Sequence, residues 1–195
     1  MIKIFDNIIP KKQQEELKNL LFGNNFPWYF VNDITHIGNQ NQARPGHCHA
    51  YMKLGEVNSD YINEVKKISD NVNKKIKKKL KMYQVRSFLQ LPLNEKLLYK
   101  DSKHREDTPH IDIYEPHTVF LYYVNDSDGD TVLYNYKSKY EHDVPVYEDI
   151  KIVDRVTPKQ GRVIVFDGMT WHSSTQPTQG PRCIVNFDMV WDLTI

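Results

Sequence analysis

The chain has 195 residues, with 26 basic and 25 acidic side chains and a formal net charge of +1. Because these charges nearly cancel, no overall electric field favours nucleic acid, a membrane surface or an acidic partner. The composition shows no break along the chain. We therefore predict a single domain over residues 1–195, large enough to bury a core and to contain a cleft.

The cysteine count and the N-terminus bear on the compartment. Cys48 and Cys183 are too few for a disulfide framework and fit a reducing environment, although one bridge between them stays open. The first residues lack the basic segment and long apolar run of a signal peptide. No apolar stretch approaches the roughly 20 residues that cross a bilayer. We expect a cytoplasmic protein without a membrane partner.

The first 80 residues predict a mainly helical support. Leucines recur at helical spacing after Pro10, and Gly23 stops the pattern, which indicates a first helix. Residues 28–34 are typical of a strand, and the Gly-, Asn- and Pro-rich residues 35–47 are typical of a loop. Apolar residues three or four apart over residues 57–80 then predict the longest helix.

From Met82 the pattern becomes one of short β-rich runs separated by Asn, Asp, Gly and Pro turns. The predicted strands are residues 82–91, 118–125, 131–136, 150–156, 162–167 and 182–191. Helices followed by many short strands predict a sandwich or small barrel buttressed by the N-terminal helices, with its core over residues 82–191. The fold class is therefore mainly β with N-terminal helices.

The segment KKIKKKLK, residues 74–81, is dense in lysine. Ile76 and Leu80 lie four residues apart and would face the core, which leaves the lysines in water. We interpret the segment as a solvated helix face and do not expect nucleic acid as a partner. A nucleic-acid patch is the alternative.

His110 and Asp112 lie two residues apart, so on an extended segment both side chains project to the same side, as two ligands of one metal ion must. The spacing alone is weak, since residues 104–106 (His-Arg-Glu) resemble it. His172 follows an apolar strand and a turn and supplies a third ligand. Two imidazoles and one carboxylate leave open positions on Fe(II), and no zinc-finger spacing competes with this reading.

Arg182 lies ten positions after His172, beyond a turn rich in proline and glycine that returns the chain antiparallel to the preceding strand. We therefore expect Arg182 near the metal ligands. Its guanidinium is always charged and presents a planar fork that matches a carboxylate. It suits the distal carboxylate of an oxo acid whose other end chelates the metal.

Four segments carry a family resemblance, in this order: TPHID, FLYYVNDSDGDTVLYN, VTPKQGRVIVFDGMTWHSSTQP and GPRCIVNFDMVW. Over residues 82–191 they resemble the 2-oxoglutarate and Fe(II) dependent oxygenases, specifically the prolyl 4-hydroxylase-like branch. The resemblance implies a double-stranded β-helix, a jelly-roll core. It implies His110, Asp112 and His172 as iron ligands and Arg182 as the residue that binds 2-oxoglutarate, with Tyr99 as a second, looser contact to the oxo acid.

The resemblance also implies the chemistry, with Fe(II) as cofactor, 2-oxoglutarate and dioxygen as cosubstrates and ascorbate as an optional addition. The expected reaction is hydroxylation of a substrate with decarboxylation of 2-oxoglutarate to succinate, and no side chain acts as general base. The leading substrate is a peptidyl proline or a similar protein side chain. A free amino acid, a nucleobase or a small metabolite is the alternative within this chemistry.

A rival from another class is a non-catalytic jelly-roll or cupin-like binding module, which has no reason to carry Arg182. We interpret His47-Cys48-His49 as part of a loop. Tyr122, Tyr134 and Asn135 are candidates to line the cosubstrate pocket, although aromatic residues in strands more often serve packing. Arg86 is a candidate substrate contact.

Overall fold

The computed structural model of the chain describes residues 2–34, 44–93, 106–139, 143–146 and 149–192. The protein is mainly β, with two helices in this part of the chain, α1 (Lys11–Leu21) and α2 (Ile62–Ile76). The strands are β1 (Lys3–Phe5), β2 (Tyr29–Val31), β3 (Gly46–Lys53), β4 (Glu56–Val57), β5 (Leu80–Gln90), β6 (Thr118–Tyr123), β7 (Thr131–Lys137), β8 (Ile152–Val156), β9 (Val163–Asp167), β10 (Thr170–Ser174) and β11 (Arg182–Trp191).

The strands form two antiparallel sheets. The larger sheet has the strand order β1-β9-β6-β11-β5-β3-β2, and the short strand β4 also pairs with β3. The smaller sheet has the order β10-β7-β8. Most neighbouring strands are distant in sequence, with β3 and β4 as an exception, so the fold depends on long-range pairing. This pairing brings the start of β11 beside the end of β5, where Arg182 lies opposite Gln90.

The larger sheet is buried on both faces. Along β6, Phe120 and Tyr122 pack into the apolar layer that the helices cover. Leu121 and Tyr123 point the other way and pack against Leu133 of the smaller sheet. A strand with two buried faces is a continuous apolar run rather than an alternating one, which is why TVFLYY predicts a strand so clearly.

Helix α2 covers the larger sheet and is shorter than predicted. Its buried face includes Val65, Ile68 and Val72, which are fully inaccessible. The residue after the helix, Lys77, caps its C-terminus in the left-handed backbone conformation, with φ of 56°. The side chain of Asn73 then donates to the Leu80 carbonyl over 2.8 Å and accepts from the Leu80 backbone N–H over 3.3 Å, which turns the chain into β5.

Several strands lie where the sequence predicts none. Residues 46–49, predicted as loop, lie in β3 between β2 and β5, so the interpretation of His47-Cys48-His49 as a loop is wrong. Thr170 and Trp171, predicted as part of the turn before His172, belong to β10 (Thr170–Ser174). Their strand state comes from cross-strand partners far along the chain, which local composition does not reveal.

Cys48 and Cys183 are free thiols in the structure, so the bridge that the sequence left open is absent. They lie on β3 and β11 with β5 between them. In the described residues, neither helix has the length and apolar character needed to cross a membrane.

Replacing Ile68 with alanine tests the packing of α2 on the sheet. We expect Ile68→Ala to lower the free energy of unfolding by about 2–5 kcal/mol, because a fully buried side chain leaves a cavity. Lys67→Ala, one residue away and exposed, should change it by less than about 0.5 kcal/mol. Urea unfolding followed by circular dichroism measures both, and equal effects would contradict the packing described.

Candidate functional site

A cleft lies between the two sheets and encloses about 700 Å³, including its open mouth. Three cross-strand pairs of β5 and β11 line one wall. They are Gln90 with Arg182, Phe88 with Ile184, and Arg86 with Asn186. The wall is therefore polar at both ends and apolar in the middle. β10 and β7 of the smaller sheet contribute His172 and Thr131 to the opposite side.

The three predicted metal ligands converge in this cleft. His110, Asp112 and His172 each present a ligand atom, and these atoms lie within 4.8 Å of one another. The backbones of His110 and His172 exchange two hydrogen bonds of 2.9 and 3.0 Å. This bridge docks the segment that carries His110 and Asp112 against β10, so the two parts of the sequence meet where the spacing predicted.

The histidines are oriented as metal ligands require. Nδ1 of His110 lies 3.0 Å from the Thr108 carbonyl, and Nδ1 of His172 lies 3.1 Å from the Thr170 carbonyl. A carbonyl can only accept, so Nδ1 carries the hydrogen and the lone pair is left on Nε2. Nε2 of His172 lies 3.3 Å from Oδ2 of Asp112. The donor set and its orientation fit a divalent ion.

Two side chains hold Asp112 in place. Arg86 Nη2 donates to Oδ1 over 2.6 Å, and Asn186 Nδ2 donates to Oδ2 over 3.1 Å. Sequence reasoning proposed Arg86 as a substrate contact and did not single out Asn186. Because both belong to the larger sheet and Asp112 lies outside it, their role depends on tertiary structure alone.

The charges of the cluster shift its pKa values in different directions. Burial lowers the pKa of His110 to about 4, and the nearby His172 adds to this. Burial also opposes a charge on His172, but the hydrogen bond to Asp112 and its charge outweigh burial and raise the pKa of His172 above its usual value. Burial is likewise outweighed at Asp112, where Arg86 and His172 hold the pKa well below its usual range.

His117 and Asp188 lie behind Asp112, close enough that the three could share a cation. Burial, and then the charge of Asp112, raise the pKa of Asp188 to about 7. The side chains of His117 and Asp188 are fully buried and do not line the cleft, whereas His110, Asp112 and His172 do. We therefore assign the metal-binding geometry to His110, Asp112 and His172.

Arg182 is the polar anchor at the opposite end of the cleft, and 3% of it is exposed. Its Nε donates to the Gly129 carbonyl, Nη1 to Gln90 Oε1 and Nη2 to Thr131 Oγ1, each over 2.8 Å. A guanidinium has five N–H groups, so two (5 − 3) have no partner among the described residues. Burial lowers the pKa of Arg182, yet a guanidinium stays charged. Two N–H groups suit one carboxylate.

Thr131 adds a hydroxyl to the end of the cleft that contains Arg182. Its Oγ1 accepts from Arg182 and also from the hydroxyl of Tyr123 over 2.8 Å. With two donors already on the oxygen, its own hydrogen is left to donate to an acceptor in the cleft. Gln90, which holds Arg182, is supported in turn by a hydrogen bond of 3.2 Å from its Nε2 to Ser174 Oγ.

The other residues predicted to line the cosubstrate pocket do not lie in the cleft where the structure describes them. Tyr99 lies outside the described residues. Tyr122 packs in the helix-side core, Tyr134 packs with Trp171, and Asn135 is exposed, so their expected role in lining the pocket is wrong. Tyr122 and Tyr134 are each one position out of phase with the cleft-facing residues of their strands. Tyr123, the neighbour of Tyr122, instead lies with its ring centre 6.0 Å from the Arg182 guanidinium carbon.

Neither a family model nor a curated protein sequence matches this chain. Solved structures do match. The non-haem α-ketoglutarate dependent epimerase SnoN from nogalamycin biosynthesis is 13% identical, with a TM-score of 0.64, over 97% of this chain and 78% of that chain. The viral collagen prolyl hydroxylase vCPH from Paramecium Bursaria Chlorella virus-1, solved with 2-oxoglutarate, is 13% identical, with a TM-score of 0.55, over 98% and 96%.

A prolyl hydroxylase from Trichoplax adhaerens, solved with a peptide of hypoxia inducible factor, is 14% identical, with a TM-score of 0.57, over 96% of this chain and 82% of that chain. At such low identity these likenesses establish the architecture. The chain has the fold shared by 2-oxoglutarate and Fe(II) dependent oxygenases, prolyl hydroxylases among them.

Proposed function

We propose that this protein is a 2-oxoglutarate and Fe(II) dependent dioxygenase in which residues 1–195 form one catalytic domain. One observation carries the proposal: a single cleft contains the His110, Asp112 and His172 cluster and Arg182, two of whose N–H groups have no partner among the described residues. A non-catalytic binding module needs neither. The fold shared with SnoN and vCPH adds support.

Iron would be held by His110, Asp112 and His172. Two imidazoles and one carboxylate leave room on Fe(II) for an oxo acid and for dioxygen. Bound iron would supply the oxidative chemistry that converts 2-oxoglutarate to succinate and carbon dioxide and hydroxylates the substrate. Arg86 and Asn186 keep the Asp112 carboxylate ionised and oriented, and no side chain has to act as general base.

The shape of the cleft suits 2-oxoglutarate. Its distal carboxylate would accept hydrogen bonds from Arg182 and Thr131. Its methylene carbons would lie against the apolar pair of Phe88 and Ile184, with Leu121 beside them. A ligand that is polar at both ends and apolar in the middle matches a wall with the same order.

For the substrate we propose a protein side chain, with peptidyl proline as the leading case. β2 is the last strand of the larger sheet on its side, and Ile34, three residues beyond β2, lines the cleft. An extended peptide can add to such an edge through its backbone. Two proteins of this fold are named as prolyl hydroxylases. A small molecule is the second candidate, because SnoN was solved with nogalamycin RO.

Formation of the ternary complex tests the metal and oxo-acid roles. Anaerobic Fe(II) with 2-oxoglutarate should give a visible metal-to-ligand charge-transfer band in the wild type. His110→Ala should abolish it, because one of three ligands is lost. Arg182→Lys, which keeps the charge but loses the planar fork, should require at least about tenfold more 2-oxoglutarate.

His47→Ala is the matched control for the histidine variant, because His47 lies on β3 and does not line the cleft. It should keep the band. Circular dichroism checks that each variant is folded. A folded wild-type protein that gives no band anaerobically and no succinate in air would refute the oxygenase proposal.

Metal affinity should depend on pH through one proton. A metal ion needs neutral His172, whose pKa is raised, so protons compete as the pH falls below that pKa. His110, with a pKa of about 4, adds no second proton above about pH 5. We expect Co(II) affinity to fall by about tenfold per pH unit once the pH lies below the pKa of His172. Titrations at several pH values measure this, and a hundredfold change per unit would contradict the assignment.

The substrate class is tested by product mass. Purified protein, Fe(II), 2-oxoglutarate and ascorbate are incubated with a proline-containing peptide library. We expect a mass increase equal to one oxygen atom on proline peptides and no increase on matched peptides with alanine in place of proline. Oxidation confined to added small metabolites would favour the second candidate, while succinate production would still support the oxygenase.

A further inference from the structure

Six lysines lie between residues 74 and 81, and all of them are exposed: Lys74, Lys75, Lys77, Lys78, Lys79 and Lys81. They span the end of α2, the turn after it and the start of β5. Among the described residues, none of them lies within ion-pair distance of a carboxylate, whereas Lys66 on the same helix pairs with Asp70 at 2.7 Å. Within the part of the chain that the structure describes, no ion pair therefore compensates the positive charge of this segment.

Trp191 lies directly beside these lysines. It pairs with Leu80 at the end of β11, and its neighbour Val190 pairs with Lys81. The indole is 56% exposed, although the other two tryptophans, Trp28 and Trp171, are partly or fully buried. Lys78 Nζ lies 4.9 Å from the centre of the Trp191 ring. The basic segment therefore has an exposed aromatic ring beside it, a combination that a solvated helix face alone does not require.

Two grooves meet at this ring. One contains Lys3 and Lys78, and the other contains Lys81 and Tyr83. Trp191 and Pro116 line both, so the indole is part of the wall of each groove. Neither groove shares a lining residue with the cleft that contains His172 and Arg182.

Few acidic groups line the two grooves. Asp167 lines the first groove, but its carboxylate is already paired with Lys137 at 2.7 Å. Glu115 lines the second groove. Asp192 follows Trp191 along the chain, so three described carboxylates lie near this segment of six lysines.

We propose that the lysine–tryptophan patch, defined as the six lysines between residues 74 and 81 together with Trp191, binds single-stranded nucleic acid. The lysines neutralise successive phosphates, and the indole stacks on a base, which is the combination that sequence-tolerant single-strand binding uses. An acidic peptide would use the charges but not the ring. The inference goes beyond the oxygenase proposal and does not depend on it, because the patch and the cleft are separate.

The test is fluorescence anisotropy with a labelled oligothymidylate of about 16 nucleotides and the full chain. We expect the logarithm of the association constant to fall linearly with the logarithm of the salt concentration. Each lysine that contacts a phosphate contributes about −0.7 to the slope, so six contacts would give a slope of about −4. The triple variant Lys75→Gln, Lys78→Gln and Lys79→Gln should bind at least about tenfold more weakly and have a slope shallower by about 2. These exposed side chains put folding at little risk.

The control removes the same three charges elsewhere, through Lys11→Gln, Lys12→Gln and Lys151→Gln, all exposed. It should keep the wild-type affinity. Trp191→Ala should weaken binding by about 5- to 100-fold, while Trp191→Phe keeps most of it. Quenching of wild-type tryptophan fluorescence by the oligonucleotide provides an independent readout of stacking.

Any one of three results would overturn the proposal. The first is that the control triple variant loses as much affinity as the patch variant. The second is that a duplex of equal length binds as tightly as the single strand, and the third is that phosphatidylserine vesicles bind while the oligothymidylate does not. Catalytic turnover and the anaerobic charge-transfer band do not enter this test, so its failure leaves the oxygenase proposal untouched.

Discussion

Burial of the Arg182 guanidinium is the constraint on which the cleft depends. A charge removed from water is stable only when its N–H groups find acceptors. Those acceptors come from Gln90 in the larger sheet, from Thr131 in the smaller sheet and from the Gly129 carbonyl just before it. The guanidinium therefore joins the two sheets at one end of the cleft. Under the proposed function, the two N–H groups that have no partner among the described residues would bind an anion in the cleft.

At the other end of the cleft, the charges of the metal-ligand cluster are paired with one another. Arg86 compensates Asp112, so the cluster with His110 and His172 is close to neutral without a metal ion. A divalent ion there would add two positive charges to a site with one compensated carboxylate. Under the proposed function, the oxo-acid carboxylate that chelates the ion restores part of the balance, and its distal carboxylate does the same for Arg182. The two ends thus favour the same dianion.

Sequence alone predicted which residues meet in the cleft better than it predicted their surroundings. His110, Asp112, His172 and Arg182 could be singled out because the proposed roles need particular residue types at particular spacings, and the structure brings all four into one cleft. Their supports could not be found in this way. Asn186 is one of several strand asparagines and glutamines, and only the pairing of β11 with β5 brings it beside Asp112.

The errors have the same physical origin. Strands β1 and β10 are held by partners more than 30 residues away, so their own sequences contain little signal. The faces of β6 and β7 follow from register, and a shift of one residue moves a side chain from cleft to core. The exposure of Trp191 follows from the alternation along β11. Arg182, Ile184 and Asn186 line the cleft, whereas Phe187 and Met189 face the helix-side core, and Trp191 follows on their side of the strand. One strand thus begins at the Arg182 end of the cleft and finishes beside the lysines, on the opposite face of the sheet. A change in the register of β11 would disturb the cleft and the lysine–tryptophan patch together. Substitutions of exposed side chains such as Lys78 can therefore test the patch without altering the cleft.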